Sequence, residues 1–157
     1  MTDPFIGDTA VFCSSLWEPE QWMFCDGREL EIERFTALYA TIGDQYGGDA
    51  KRTFALPKIP DPVPGASYVM AVEGWFRARD DRSVWAPDVV AFAREWLGAP
   101  PPGTMVPTGQ IINIRDNREL FAVIGYAFGG NGQTTFALPN LGNRFVLCTE
   151  GKFPRRR

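Results

Sequence analysis

Thr53-Phe54-Ala55-Leu56-Pro57 recurs letter for letter as Thr135-Phe136-Ala137-Leu138-Pro139. The copies stand 136 − 54 = 82 residues apart, and the same offset carried upstream needs no gap. It lays Gly47-Gly48 on Gly129-Gly130, Gly43 on Gly125, Ile42 on Ile124, Leu38 on Leu120 and Gly27 on Gly109. Tyr39 with Phe121 and Tyr46 with Phe128 are similar pairs in the same register. One pentapeptide can recur by accident, but this many matches in one register cannot. The chain is a tandem duplication.

The duplication extends in both directions with small shifts. Downstream, Tyr68 to Phe76 matches Phe145 to Phe153 with an offset of 150 − 73 = 77, so the second copy is shorter after its repeated motif. Upstream, Ala10-Val11-Phe12 is set against Val90-Ala91-Phe92, and Trp17 against Trp96. The units are expected at residues 1–79 and 80–157, with Arg77-Ala78-Arg79-Asp80-Asp81-Arg82 at the junction.

Each unit reads as a short strand, a turn, a helix, a glycine loop and a closing strand, which makes the fold class α+β. Phe35, Leu38, Tyr39 and Ile42 share one helix face, and Leu120, Phe121 and Ile124 repeat it. Gly43 and Gly125 stand where a left-handed C-cap is wanted. Asp116 with Glu119 resembles a capping box. The Gly-Gly pairs mark loops of positive φ, while Tyr68–Val72 and Phe145–Val146 read as strands. One stretch conflicts with the repeat. Val89, Phe92, Ala93 and Trp96 have helical spacing ended by Gly98, whereas the duplication sets residues 88–98 against a strand. Helix and strand both stay open there; the register argument, being global, tips the reading to strand.

Composition narrows the functions. The 157 residues contain no histidine, which removes Ser-His and Cys-His nucleophiles and every His-containing metal site. Cys13, Cys25 and Cys148 have no CxxC spacing and read as buried or idle thiols. With 16 Lys plus Arg against 19 Asp plus Glu, the chain lacks the basic face that nucleic-acid binding needs. No apolar run approaches the roughly 20 residues of a membrane helix. The opening Met1-Thr2-Asp3-Pro4-Phe5 has neither the basic nor the apolar region of a cleaved secretion signal.

The first unit carries, in order, Asp3-Pro4-Phe5-Ile6-Gly7-Asp8, Phe12, Trp22-Met23-Phe24-Cys25-Asp26-Gly27, Ala37-Leu38-Tyr39, Gly43, Tyr46-Gly47-Gly48-Asp49 and the Thr53–Pro57 motif. In this series it resembles the phage tail collar domain family, including the bacterial proteins labelled microcystin-dependent. Ala71-Val72-Glu73-Gly74 is similar to the family's closing strand. The second unit keeps the helix, the Gly-Gly pair and the repeated motif, but has Val106-Pro107-Thr108-Gly109 in place of Phe24-Cys25-Asp26-Gly27. Family members usually carry a long variable segment after the motif; here it shrinks to Lys58–Ser67 and to Asn140–Arg144. The resemblance implies a structural or adhesive protein of a virion tail, a tail-like particle or an extracellular fibre, cytoplasmic before assembly, with no catalysis and no cofactor.

Candidate residues follow from both readings. Gly47, Gly48, Gly129 and Gly130 lack the sequence context of a phosphate or calcium loop and read as tight turns. Phe54, Leu56, Phe136 and Leu138 read as core anchors, with Pro57 and Pro139 closing the turn. Trp22 and Trp75 read as core; Trp85 and Trp96, outside the matched stretches, read as interface. Phe5 and Ile6 are set either to pair with a neighbouring chain or to form the first strand of their own unit. Glu18, Glu20, Glu29, Glu31 and Glu33 read as a solvated face rather than a glycosidase carboxylate pair, and Arg155-Arg156-Arg157 as a salt-bridging tail. The expected partners are other copies of the chain in a ring or filament, further tail or fibre proteins, and a host-surface glycan as the alternative. A unit near the size where one core seldom suffices, with repeated strand edges to cover, favours association.

Overall fold

In the computed structural model, residues 3–76 and 85–157 are described; the expected unit boundary at residues 79 and 80 lies outside them. The first unit contains β1 (Thr9–Phe12), β2 (Trp22–Phe24), β3 (Glu29–Glu31), α1 (Thr36–Ile42), β4 (Thr53–Ala55) and β5 (Ser67–Ala71). The second contains β6 (Phe92–Glu95), β7 (Thr104–Met105), β8 (Ile111–Asn113), α2 (Arg118–Ile124), β9 (Thr135–Ala137) and β10 (Phe145–Cys148). The two element sequences are the same, and the α+β class holds. Residues 92–95 are strand, the state to which the duplication tipped the reading, and not the helix of local spacing.

The strands form one six-stranded sheet and two small ribbons. The sheet order β2-β5-β1-β6-β10-β7 is a palindrome in the duplication, with the first strands of the two units joined at its centre. That junction is antiparallel, Val11 opposite Ala93 and Phe12 opposite Phe92, and is prolonged by a Cys13 N–H to Ala91 C=O bond of 2.9 Å. The ribbons β3-β4 and β8-β9 repeat to the residue: Leu30 faces Phe54, and Ile112 faces Phe136.

Alternation along the registered strands separates two faces. Thr9, Val11, Tyr68, Met70, Ala93 and Leu147 share one; Ala10, Phe12, Trp22, Val69, Ala71, Phe92 and Val146 share the other. In the first unit, Met23, Met70 and Val72 pack with Leu38 and Ile42 of α1 and with Leu30, Phe54 and Leu56. A second, larger core runs across both units, from Val11, Phe12, Trp22 and Val69 to Phe92, Leu120, Phe136 and Leu147. This shared core joins the two units through buried apolar side chains from both.

Two sequence expectations need correction. The upstream match of residues 10–12 to residues 90–92 is shifted. The Ile6 N–H to Trp75 C=O bond of 2.8 Å is repeated by Val90 N–H to Lys152 C=O at 2.8 Å, and Trp75 N–H to Pro4 C=O by Lys152 N–H to Asp88 C=O. Pro4 therefore corresponds to Asp88, an offset of 88 − 4 = 84, and Phe12 corresponds to Trp96, so Trp17 does not. The hydrogen-bonded frame preserves an equivalence that the side chains at the first strand have lost. The capping box at Asp116 and Glu119 does not form either. The helix N-cap is Asn117 and has no side-chain cap bond; instead Asn113 Oδ1 accepts from Asp116 N–H at 2.8 Å and Asn117 Nδ2 donates to Asn113 C=O at 2.9 Å. The expected helix-ending glycines do take positive φ, +66° at Gly43 and +60° at Gly125, each donating its N–H four residues back. Their ψ values of −154° and −147° are extended, so the cap is not left-handed helical.

Candidate functional site

The repeated motif builds the same loop twice. Gly47 and Gly48 take φ of +133° and +91°, and Gly129 and Gly130 take +132° and +87°. A Cβ on Gly48 would collide with the backbone of Phe54, and one on Gly130 with the backbone of Phe136. The glycines thus let the loop lie directly on the motif strand, where Phe54, Leu56, Phe136 and Leu138 are all buried. Pro57 and Pro139 are buried behind them. Beside each pair one side chain organises the turn. Asp49 Oδ1 accepts from the N–H groups of Lys51, Arg52 and Thr53 at 2.8, 2.8 and 3.0 Å. Asn131 Oδ1 accepts from Gln133, Thr134 and Thr135 at the same three distances. These donors hold the Asp49 carboxyl at about 2, below its ordinary value. The loop satisfies its own polar groups, which suits a structural turn.

The interface candidates divide. Trp85 is buried in the chain's own aromatic cluster, its ring 5.2 Å from Trp22 and 5.6 Å from Phe92. Ile6 is buried in the core of the first unit with Met70 and Val72. Neither side chain is available to another copy, which corrects those two assignments. Phe5 is half-buried and bridges to Trp75 of its own unit in a parallel pair, so residues 5–6 serve their own unit. Trp96 is half-buried at the surface, its indole N–H donating to Ala99 C=O at 3.2 Å. Trp22 is in the core as expected, but Trp75 is 58% exposed. Its counterpart Lys152 is the signal that could have shown this, since a position that accepts lysine in one copy faces water. Phe76 and its counterpart Phe153 are also exposed, as is Leu97 beside Trp96.

The tail and the acidic set meet at the first unit. Arg156 bridges antiparallel to Pro19, Glu20 N–H donates to Arg155 C=O at 2.7 Å, and Arg157 N–H donates to Glu18 C=O at 2.8 Å. Arg156 lies over the Trp17 ring at 5.1 Å, and Arg157 pairs with Glu73 at 3.1 Å. The salt-bridging tail is therefore real, and it ties the end of the second unit onto the first. Glu29, Glu31 and Glu33 are exposed, as a solvated face requires, but Glu18 departs from it. Its carboxylate accepts from Phe24 N–H at 2.7 Å and pairs with Arg28 at 2.6 Å, closing the outer edge of β2. No sequence pattern marks that role. At the opposite edge Pro100 stands where an offset of 82 places Glu18, and Val106 N–H, the counterpart of Phe24 N–H, has no bond among the described residues.

A family model described as Phage Tail Collar Domain matches this chain twice, over residues 4–64 and 88–146. The chain belongs to the phage tail collar domain family. The second match begins at residue 88, where the hydrogen-bonded frame also begins its repeat. No curated protein and no solved structure matches the chain. Membership points to a structural component of a phage tail or fibre, a family role that is not catalytic.

Within this collar protein, the surface features are modest. A shallow groove of about 580 Å³ in the first unit is lined by half-buried Phe24 and Tyr68 with Asp26, Lys58, Asp61 and Ser15. In the second unit Thr108 and Asn140 replace Asp26 and Lys58, and the segment after the motif is cut short. The longer segment of the first unit is also used inside the chain: a Cβ on Gly65 would touch the Phe128 ring of the second unit at 3.3 Å. The three cysteines are buried and free, and burial pushes each thiol up to about 12. They are inert small apolar residues here. Among the described residues no cluster of carboxylates and thiols could hold a metal ion.

Proposed function

We propose that this collar protein is a self-assembling, non-enzymatic subunit of a tail-like particle or extracellular fibre. The observation that carries the reading is the manner in which its two collar units associate: first strand against first strand, at the centre of a palindromic sheet. A unit that joins its duplicate through a strand edge is suited to join other chains the same way. The two outer edges differ. Glu18 closes β2, whereas Val106 N–H, just past β7, is unbonded among the described residues, so the β7 edge is the one through which further copies or other tail proteins add. Half-buried Trp96 and exposed Leu97 widen the apolar contact at that unit's surface.

Val106→Pro tests this directly, because the N–H that proline removes has no partner among the described residues. Light scattering and electron microscopy of the purified protein should show oligomers, and Val106→Pro should dissociate them while circular dichroism stays unchanged. A monomeric wild type at tens of micromolar, or an oligomer indifferent to the substitution, would overturn the reading. The alternative is a glycan-binding adhesion module, favoured by the groove of aromatic and polar side chains beside Lys58 and Asp61. Glycan-array binding lost on Tyr68→Ala, with no assembly, would establish it instead.

A further inference from the structure

We infer that Asn131 is a site of spontaneous deamidation and that its product is held as aspartate in the cradle that the first unit already builds for Asp49. The chain has five asparagines, and Asn131 alone is followed by glycine, at Asn131-Gly132. Gly132 has no Cβ to shield its nitrogen, and its N–H is donated to Thr135 C=O at 2.9 Å. Gly132 N loses its proton and attacks once that bond to Thr135 C=O has opened. The acceptor of the attack is activated. Asn131 Oδ1 receives three backbone N–H groups at 2.8, 2.8 and 3.0 Å, an arrangement that stabilises negative charge developing on that oxygen. The leaving nitrogen, Nδ2, donates to Thr134 Oγ1 at 2.9 Å.

The steps balance with water alone. Gly132 N gives up its proton to solvent base and bonds to Asn131 Cγ, the Cγ–Nδ2 bond breaks, and ammonia leaves with a proton taken from water. Water then opens the cyclic imide. Its oxygen adds to one of the two ring carbonyl carbons, the bond from that carbon to Gly132 N breaks, and the nitrogen recovers a proton. Addition at Cγ gives aspartate; addition at the backbone carbon gives isoaspartate. Because the three donors aim at Oδ1, Cγ is the more activated carbon, and aspartate is the favoured product. The first unit shows that this product fits. Asp49 takes the same three N–H groups at the same distances, and Asp49 N–H donates to Thr53 Oγ1 at 3.1 Å as Asn131 N–H does to Thr135 Oγ1 at 3.1 Å.

The test is to incubate the intact protein at mildly alkaline pH and map peptides by mass spectrometry with a fragmentation method that separates aspartate from isoaspartate. Conversion should fall on Asn131 ahead of Asn113, Asn117, Asn140 and Asn143, yield chiefly aspartate, and slow several-fold in Gly132→Ala. The Asn131→Asp protein should keep the melting temperature of the parent near neutral pH. Conversion at Asn131 no faster than at Asn140 or Asn143, a product that is chiefly isoaspartate, or a lowered melting temperature for Asn131→Asp would overturn the inference.

Discussion

Phe12 and Phe92 stand directly opposite each other in the central antiparallel pair, ring centroids 5.1 Å apart, and both are buried. One belongs to each unit, so the contact that completes the core is also the contact that joins the duplicates. Around it Trp22, Trp85 and Trp17 extend a continuous aromatic cluster across the junction.

Truncation at this pair should therefore destabilise the whole chain rather than one half. Phe92→Ala is expected to cost about 3–5 kcal/mol. Urea unfolding followed by far-ultraviolet circular dichroism and by tryptophan fluorescence should give one coincident transition in both proteins. Two separated transitions in the wild type would show that the units fold independently.

Backbone strain is distributed between the copies in a way that substitution can reverse. Among the described residues three that are not glycine have positive φ: Gln21 at +77°, Ala50 at +65° and Ala91 at +74°. Each corresponds to a glycine in the other copy, namely Gly103 at +80°, Gly132 at +72° and Gly7 at +91°. Ala50→Gly and Gln21→Gly should each be stabilising by up to about 1 kcal/mol, the relief of left-handed strain exceeding the extra entropy that glycine gives the unfolded chain. Gly48→Ala and Gly130→Ala should be destabilising by well over that, since their Cβ atoms meet backbone. Denaturation midpoints of the four variants check both directions.

Acid sensitivity should distinguish the two loops. Asp49 has a folded value of about 2 against an ordinary 3.8, so the stability it supplies is complete above the ordinary value. That stability is lost as pH falls through the folded value, where the carboxylate gains its proton. Asn131 occupies the same cradle without titrating. Asp49→Asn should flatten the fall of the urea midpoint between pH 4 and pH 2, and an unchanged profile would contradict the assignment.

The thiols should be silent in the folded protein. With Cys13, Cys25 and Cys148 each pushed up to about 12 by burial, a thiolate-selective reagent at pH 8 should react only after unfolding. Reaction of all three on adding guanidinium, and none before, is the expected stoichiometry.

The sequence alone established the duplication, the helix faces, the glycine loops and the buried motif anchors. These are local solutions to one folding problem, and a problem solved twice leaves the same letters twice. Gly48 and Gly130 repeat because a Cβ there would meet the motif backbone, and Phe54 and Leu56 repeat as Phe136 and Leu138 because all four are buried. What only the tertiary structure decided lies where the units meet and where they end. The register of the first strand rests on main-chain hydrogen bonds, which constrain side chains weakly, so Pro4 and Asp88 share a place that their letters do not reveal. The burial of Trp85, the exposure of Trp75 and the edge closure by Glu18 depend on contacts between segments remote in sequence. Tryptophan packs equally well against its own chain or another, and only the position of its neighbours settles which.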